Sequence, residues 1–258
     1  MSASPPAQVH RFLPSGMPFT LQRNLYGLKP RYDSTLQKDF SLRRAWTQIL
    51  TGEDYDEHMA AVGQAQAVAV LTAELIRDAD LPTGSRLVVA GAGTGQMFDF
   101  LSPDLFHPFE LICTDLNPKF LARLRGRLFR QGIRALIFAD DIEQTALPEG
   151  PDFLLAVLLL EQIDWRKGVE AITALRPAAC GIVIQENPAG MTSAVTPGRV
   201  IPASMAAAFE AAQPKLVPRG ELPSAFDVRG YRCARTCIRE VADEKRLISL
   251  LFVRSNET

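Results

Sequence analysis

The stretch LVVAGAGTGQM, residues 87–97, decides the reading of this chain. Its apolar run has the length of a buried strand and breaks into Gly91-Ala92-Gly93-Thr94-Gly95. Glycines are needed where a chain turns sharply from strand to helix, and where backbone must approach a ligand with no Cβ in the way. Such a turn usually holds a nucleotide. The dinucleotide fingerprint spaces its glycines G-x-G-x-x-G. Here the spacing is G-x-G-x-G, and Gln96 stands where the last glycine would be.

Downstream of this turn, strand and helix patterns alternate. Short apolar runs at Leu87–Ala90, Leu111–Thr114, Ala135–Phe138, Phe153–Leu159 and Gly181–Gln185 read as strands. Helical stretches fall between them, near 95–101, 117–131, 143–147 and 166–175. Continuous apolar strands separated by helices imply a parallel sheet covered on both faces. The chain closes with two β-rich runs, Tyr231–Val241 and Leu247–Arg254, joined by ADEK, which read as a hairpin. Residues 188–230 break the rhythm with six prolines and one short helix, ASMAAAFEAAQ. Upstream, residues 1–35 show no sustained period and read as an irregular arm. TLQKDFSLRRAWTQIL reads as a helix with Leu36, Phe40, Leu42, Trp46 and Leu50 as its apolar residues. TGEDYDEH reads as an acidic break, and MAAVGQAQAVAVLTAELI as one alanine-rich helix.

The bulk numbers exclude several classes. With 258 residues and 47% hydrophobic content, the chain can bury a substantial core. A formal net charge of −1 gives the whole molecule no electrostatic reason to seek nucleic acid or an anionic membrane. No apolar run approaches the roughly 18 residues of a membrane span, and MSASPPAQ lacks the form of a signal peptide. Cys113, Cys180, Cys233 and Cys237 form no metal-binding spacing, so no metal site is expected. They read as reduced thiols of a cytoplasmic protein.

Each strand end after the glycine turn carries an acid. Asp115 closes the second strand, where a carboxylate can accept hydrogen bonds from both hydroxyls of a ribose. Asp115 or Asn117 can equally cap the helix that follows. Asp141-Ile142 follows the third strand and suits an adenine pocket: the carboxylate takes the exocyclic amine and Ile142 packs on the ring. Asp152 precedes the fourth strand, and Glu161-Gln162 follow it at the edge where α/β ligands sit.

In this order, GAGTG, the strand-two acid, Asp141-Ile142 and DFLLAVLLLEQI (152–163) resemble the class I S-adenosylmethionine-dependent methyltransferases. That family's fourth strand is typically D-h-h-h…LEH-[IL], and here Gln162 stands where His is common. ALRPAACGIVIQE resembles the family's passage into strand five, with Ala178 and Ala179 in place of two glycines. The resemblance covers roughly residues 58–254. It implies a Rossmann-like, doubly wound sheet of seven strands, mostly parallel with an antiparallel C-terminal hairpin strand, plus N-terminal helices. It implies an arm and helical lid over 1–57 and a methyltransferase domain over 58–258, with 188–230 as a substrate cap.

The resemblance further implies that Gly91, Ala92, Gly93, Gly95 and Gln96 pass under the cofactor. Asp115 would take the ribose, Leu116 the adenine face, and Asp141 and Ile142 the adenine edge. Ala156, Val157 and Leu158 would face the methionine portion. The helix before strand one would close over the site, bringing Tyr55, His58, Met59 and Gln64 near it.

The implied chemistry is in-line transfer of a methyl group to an O or N nucleophile of a small-molecule acceptor, with S-adenosylhomocysteine as product. His58 and Glu161 are the candidate general bases. Against them stand plainer roles, a solvated or capping histidine and a helix-start carboxylate. Met191, Met205, Phe209 and Phe226 are candidates for an apolar acceptor wall, or for the insertion's own small core.

A magnesium-dependent route through Glu161 and Glu186-Asn187 matches the catechol-type pattern poorly. Two rival functions remain open. An RNA or protein methyltransferase would use the arginine-rich helix 119–134, where Arg123, Arg127, Arg130 and Arg134 form one stripe; the plainer reading is a solvated face. A nicotinamide oxidoreductase would place a diphosphate on the glycine turn. A third possibility is a binding protein that keeps the pocket without turnover.

Overall fold

The structure is a computed structural model and describes residues 43–188 and 201–255. By contacts the chain divides into Met1–Thr35 and Leu36–Thr258, and every described residue belongs to the second unit. Leu36, Phe40, Leu42, Met191 and the arm over 1–35 lie outside the described residues.

Seven strands make one sheet: β1 (Arg86–Ala90), β2 (Glu110–Asp115), β3 (Leu136–Ala139), β4 (Phe153–Val157), β5 (Ala179–Glu186), β6 (Tyr231–Glu240) and β7 (Arg246–Arg254). Their order is β3-β2-β1-β4-β5-β7-β6. The first five pair in parallel, and β7 runs antiparallel between β5 and β6. The order reverses between β1 and β4, which opens a crevice at the carboxyl ends of those strands.

Period-2 side-chain alternation divides the core in two. Leu87 and Val89 face one layer with Leu111, Cys113 and Leu155; Val88 and Ala90 face the other with Ile112, Leu154 and Ala156. Helices α2 (Ala65–Asp78) and α3 (Pro118–Arg130) cover the first face. Helices α4 (Trp165–Ala174) and α6 (Leu222–Asp227) cover the second. Both faces are therefore dry, which is why the strands read as unbroken apolar runs.

The N-terminal side departs from the sequence reading. TGEDYDEH is no break: Thr51 accepts from the Asp54 amide at 3.2 Å and starts α1 (Gly52–Val62). Glu53 and Asp54 fall in its first turn, where the helix dipole favours acids. The alanine-rich stretch is not one helix either. Gly63 ends α1 at φ +70, and α2 leaves at 86°. The division expected between residues 57 and 58 falls inside α1.

The closing hairpin turns through Asp243 and Glu244, both at positive φ, with Lys245 donating to the Ala242 carbonyl. Two left-handed residues in succession match the right-handed twist of the flanking strands. A bulge lies between Cys233 and Arg235. The exposed arginines Arg232 and Arg235 blunt this edge strand against pairing with other chains. Residues 201–230 carry two helices, α5 (Ala203–Ala212) and α6, where the sequence reading expects one. No single helix among the described residues is long and apolar enough to cross a membrane.

Candidate active site

The glycine turn leaves β1 with Gly91, Gly93 and Gly95 at φ +64, +58 and +80. A side chain at any of the three would be strained. At Gly95 a Cβ would also meet Leu124 at 2.3 Å, inside the packed α3 interface. The turn is stitched to β2: the Ala92 amide donates to the Thr114 carbonyl at 2.8 Å, and the Gly93 amide to Asp115 Oδ2 at 2.8 Å.

Asp115 and Asn117 divide the roles that the sequence leaves open between them. Asn117 caps α3 through the Lys119 amide at 2.9 Å. Asp115 does not cap the helix. Its Oδ1 accepts from the Asn117 amide at 2.8 Å and its Oδ2 from Gly93. Each oxygen keeps a lone pair, and the residue lines the cavity. Burial pushes its carboxyl up to about 6, against the pull of the two N–H donors.

The cavity has a volume of about 230 Å³. Its floor is the glycine turn with Gln96, Leu116, Ile142, Val157 and Leu158. Of the residues expected around the cofactor, Ala156 alone does not reach it. Alternation turns Ala156 into the opposite core layer, where it is 1% exposed. The expected strand to Leu159 also stops early, because Leu158 turns to φ +51 and bonds back to the Val183 carbonyl.

Asp141 lines the cavity and accepts from the Glu143 amide at 3.1 Å, while Arg43 pairs with its Oδ2 at 2.7 Å. Asp140 is held inside its own loop by Thr145 and Ala146.

The roof comes from α1, α5 and the segment before α1. Asn117 donates its side-chain amide to the Trp46 carbonyl at 2.6 Å, which brings Trp46 to the cavity. Tyr55 packs on Phe120 with ring centroids 4.8 Å apart. Burial, then the carboxylates of Asp115 and Asp56, push its phenol well above the ordinary range, so it stays a neutral O–H donor. His58 lies edge-on to Phe209 of α5 at 5.5 Å. Met59, Gln64, Met205 and Phe209 also line the cavity. Phe226, expected in the acceptor wall, instead stacks on Phe252 at 3.9 Å beneath the sheet.

At the far end of the cavity, Glu161 is 3% exposed. Its Oε1 accepts from the Gln185 amide at 2.6 Å, and its Oε2 has no hydrogen-bond partner among the described residues. Burial pushes this carboxyl up to about 7, opposed by the Gln185 amide. Gln64 and Gln185 are joined at 3.3 Å beside it. Glu186 pairs with Arg246 at 2.5 Å. Among the described residues, no group of acids, histidines and cysteines stands together as a metal site.

The expected arginine stripe is divided, and its Arg130 and Arg134 are exposed. Arg123 and Arg127 turn inward to the acids of α1, chiefly Asp56. Sequence reasoning missed Asp56. The available signal was charge complementarity between GEDYDEH and RLRGRLFR.

No family model matches this chain, and no curated protein matches it. Solved structures do. Magnesium protoporphyrin IX methyltransferase from Synechocystis, solved with S-adenosylhomocysteine, superposes with a TM-score of 0.57 at 17% identity, over 83% of this chain and 93% of its own. A sarcosine dimethylglycine methyltransferase from Galdieria sulphuraria gives 0.55 at 13%, over 74% and 85%. The [4+2]-cyclase SpnF gives 0.54 at 12%, over 71% and 80%. These likenesses show the fold, a Rossmann-like sheet that the chain shares with those proteins. In this fold the glycine turn, Asp115 and Asp141-Ile142 meet at one cavity.

Proposed function

We propose that this protein is a cytoplasmic enzyme that transfers a methyl group from S-adenosylmethionine to an O or N nucleophile of a small molecule. The observation that carries the reading is Asp115. Two backbone amides fix its carboxylate at the cavity wall, and its remaining lone pairs suit the paired hydroxyls of a ribose. Three Cβ-free positions leave room beside it. Ile142 and Leu116 supply apolar surface for a base, and Asp141 an acceptor for its amine. These residues fit the cofactor's nucleoside.

Bound there, the cofactor would supply a methyl group already activated on sulfur. The chain's own work is then to bind, orient and exclude water, since alignment supplies much of the acceleration in a displacement. Tyr55, Trp46 and Phe209 roof the cavity against solvent. Glu161, with a carboxyl near neutral pKa, and His58 are the groups placed to accept a proton from the nucleophile. Neighbours named for magnesium protoporphyrin IX and sarcosine dimethylglycine support a small-molecule acceptor.

The diphosphate reading is the weaker one. The glycine turn leads into a five-residue 3₁₀ segment, Gln96–Phe100, with Asp99 in its first turn, and not into a long α-helix whose N-terminus would attract phosphate. The nucleic-acid reading loses Arg123 and Arg127 to internal acids. Because one neighbour is a [4+2]-cyclase, the fold alone does not decide the reaction. Calorimetric titration with S-adenosylhomocysteine and with NADH tests the reading. Binding of the first and none of the second is expected; the reverse pattern overturns it.

A further inference from the structure

One carboxylate joins the roof to the floor of the cavity. Asp56 of α1 follows Tyr55 in sequence, and its side chain is 14% exposed. Its Oδ1 accepts from Thr94 Oγ1 at 2.6 Å and from Gln96 Nε2 at 2.7 Å, both on the glycine turn. Its Oδ2 takes Arg123 Nε at 2.7 Å and Arg127 Nη2 at 3.3 Å, both on α3. Gln96 Nε2 also reaches the Asp56 carbonyl at 3.1 Å, and Arg127 Nη1 donates to the Thr94 carbonyl at 2.8 Å. Burial alone would push this carboxyl up, but the donors outweigh it and hold it below the ordinary range.

This network differs from a surface ion pair, which would contribute little. Thr94 is fully buried, and Arg127 has the same low exposure as Asp56. Removing the Asp56 charge strips Thr94 and Gln96 of their acceptor and leaves Arg127 with Asp99 at 2.9 Å and Arg123 with Glu53. Asp56 also carries Tyr55 with it. The Tyr55 hydroxyl lies 3.5 Å from where a Cβ on Gly93 would stand, so its phenol sits directly over the turn and against Phe120. The first turn of α1 is pinned separately, with Ser204 of α5 donating its amide to Asp54 at 3.0 Å and its hydroxyl accepting from the Thr51 amide at 3.1 Å.

We propose that Asp56 is a positioning residue that locks α1 onto the glycine turn, so that Tyr55 stands pre-set over the cofactor site and the ordering cost of closing the roof is met before the ligand arrives. The inference rests on the cofactor reading above. A roof that is already ordered raises affinity without adding any contact to the ligand.

The test is calorimetric titration of S-adenosylhomocysteine into the wild type, Asp56→Asn, Tyr55→Ala, the double variant and Glu53→Gln, with a thermal melt of each. Glu53 pairs with Arg123 from the exposed side and is the control. Asp56→Asn is expected to weaken binding about tenfold or more, and Glu53→Gln by less than about twofold. The Tyr55 and Asp56 losses are expected to overlap, the double variant binding within about threefold of the weaker single. A purely structural Asp56 would lower the melting temperature while its effect on affinity multiplied with that of Tyr55.

Wild-type affinity in a folded Asp56→Asn, or losses that multiply, overturns the inference alone. If Asp56→Asn does not fold, Thr94→Val removes one donor; about threefold weaker binding supports the inference and unchanged binding overturns it. Absence of binding by the wild type overturns the cofactor reading and this inference together.

Discussion

Gly93 donates its amide to Asp115 Oδ2 at 2.8 Å, so the floor of the cavity and the acid that closes β2 form one unit. The bond needs a carboxylate on β2 and a left-handed residue three positions past β1. If that carboxylate holds a ribose, Asp115→Ala should weaken binding of S-adenosylhomocysteine by about 1.5–3 kcal/mol, the range for lost charge-assisted hydrogen bonds. Because burial pushes the Asp115 carboxyl up to about 6, wild-type affinity should fall as pH drops below that value, and Asp115→Asn should lose this dependence. Equal affinity for the wild type and Asp115→Ala would remove the residue from the site.

Gly95 carries a second expectation, this time about stability. Its φ of +80 and the 2.3 Å approach of a Cβ to Leu124 act together. Gly95→Ala should cost about 2–4 kcal/mol, the sum of backbone strain and overpacking. Gly63→Ala has the strain, at φ +70, with open space around it, and should cost only about 1 kcal/mol. Urea denaturation of the two variants checks the difference. Equal losses would mean that α3 yields easily at Leu124.

The same contrast separates what the sequence carried from what it did not. Leu87–Ala90 and its sister strands were legible because burial on both faces leaves no polar position to confuse the pattern. Asp115 and Asp141 stand out in the sequence because each lies at or just past the carboxyl end of a strand. Asp56 was not, because an acid in a helix reads as solvated until the partner helix is known to lie against it. The bend at Gly63 was hidden for a similar reason: alanine propensity favours one continuous helix, and packing of α1 over the cavity overrides it. Ala156 was misplaced by one register step, and a single step exchanges the faces of a strand.

His58 tests the acceptor end of the cavity. It lines the cavity edge-on to Phe209 and is one of the two proton acceptors proposed above. His58→Ala should leave S-adenosylhomocysteine binding within about twofold and slow methyl transfer by about a hundredfold or more, measured with radiolabelled donor across phenols and amines. A wild-type rate with any acceptor that is turned over would remove His58 from the chemistry.

Glu161 gives the pH dependence of stability a definite sign. Burial holds its carboxyl at about 7 in the folded chain, while the unfolded chain ionises near the ordinary 4.5. Between those values the folded state keeps a proton that the unfolded state has released. Raising the pH through this window therefore favours unfolding, by about 3 kcal/mol in total, and the dependence ends above the folded value. Asp115 adds a loss of the same sign over a lower window, from 3.8 to about 6. Comparison with Glu161→Gln isolates the contribution of Glu161, because the amide keeps the shape and an acceptor for the Gln185 amide without the ionisation. Urea denaturation near about pH 5 and about pH 8 should show the wild type losing more stability than Glu161→Gln, with the variant the more stable of the two at the higher pH. Parallel curves for the two proteins would mean that water reaches Glu161 Oε2 and that its charge is solvated in the cavity.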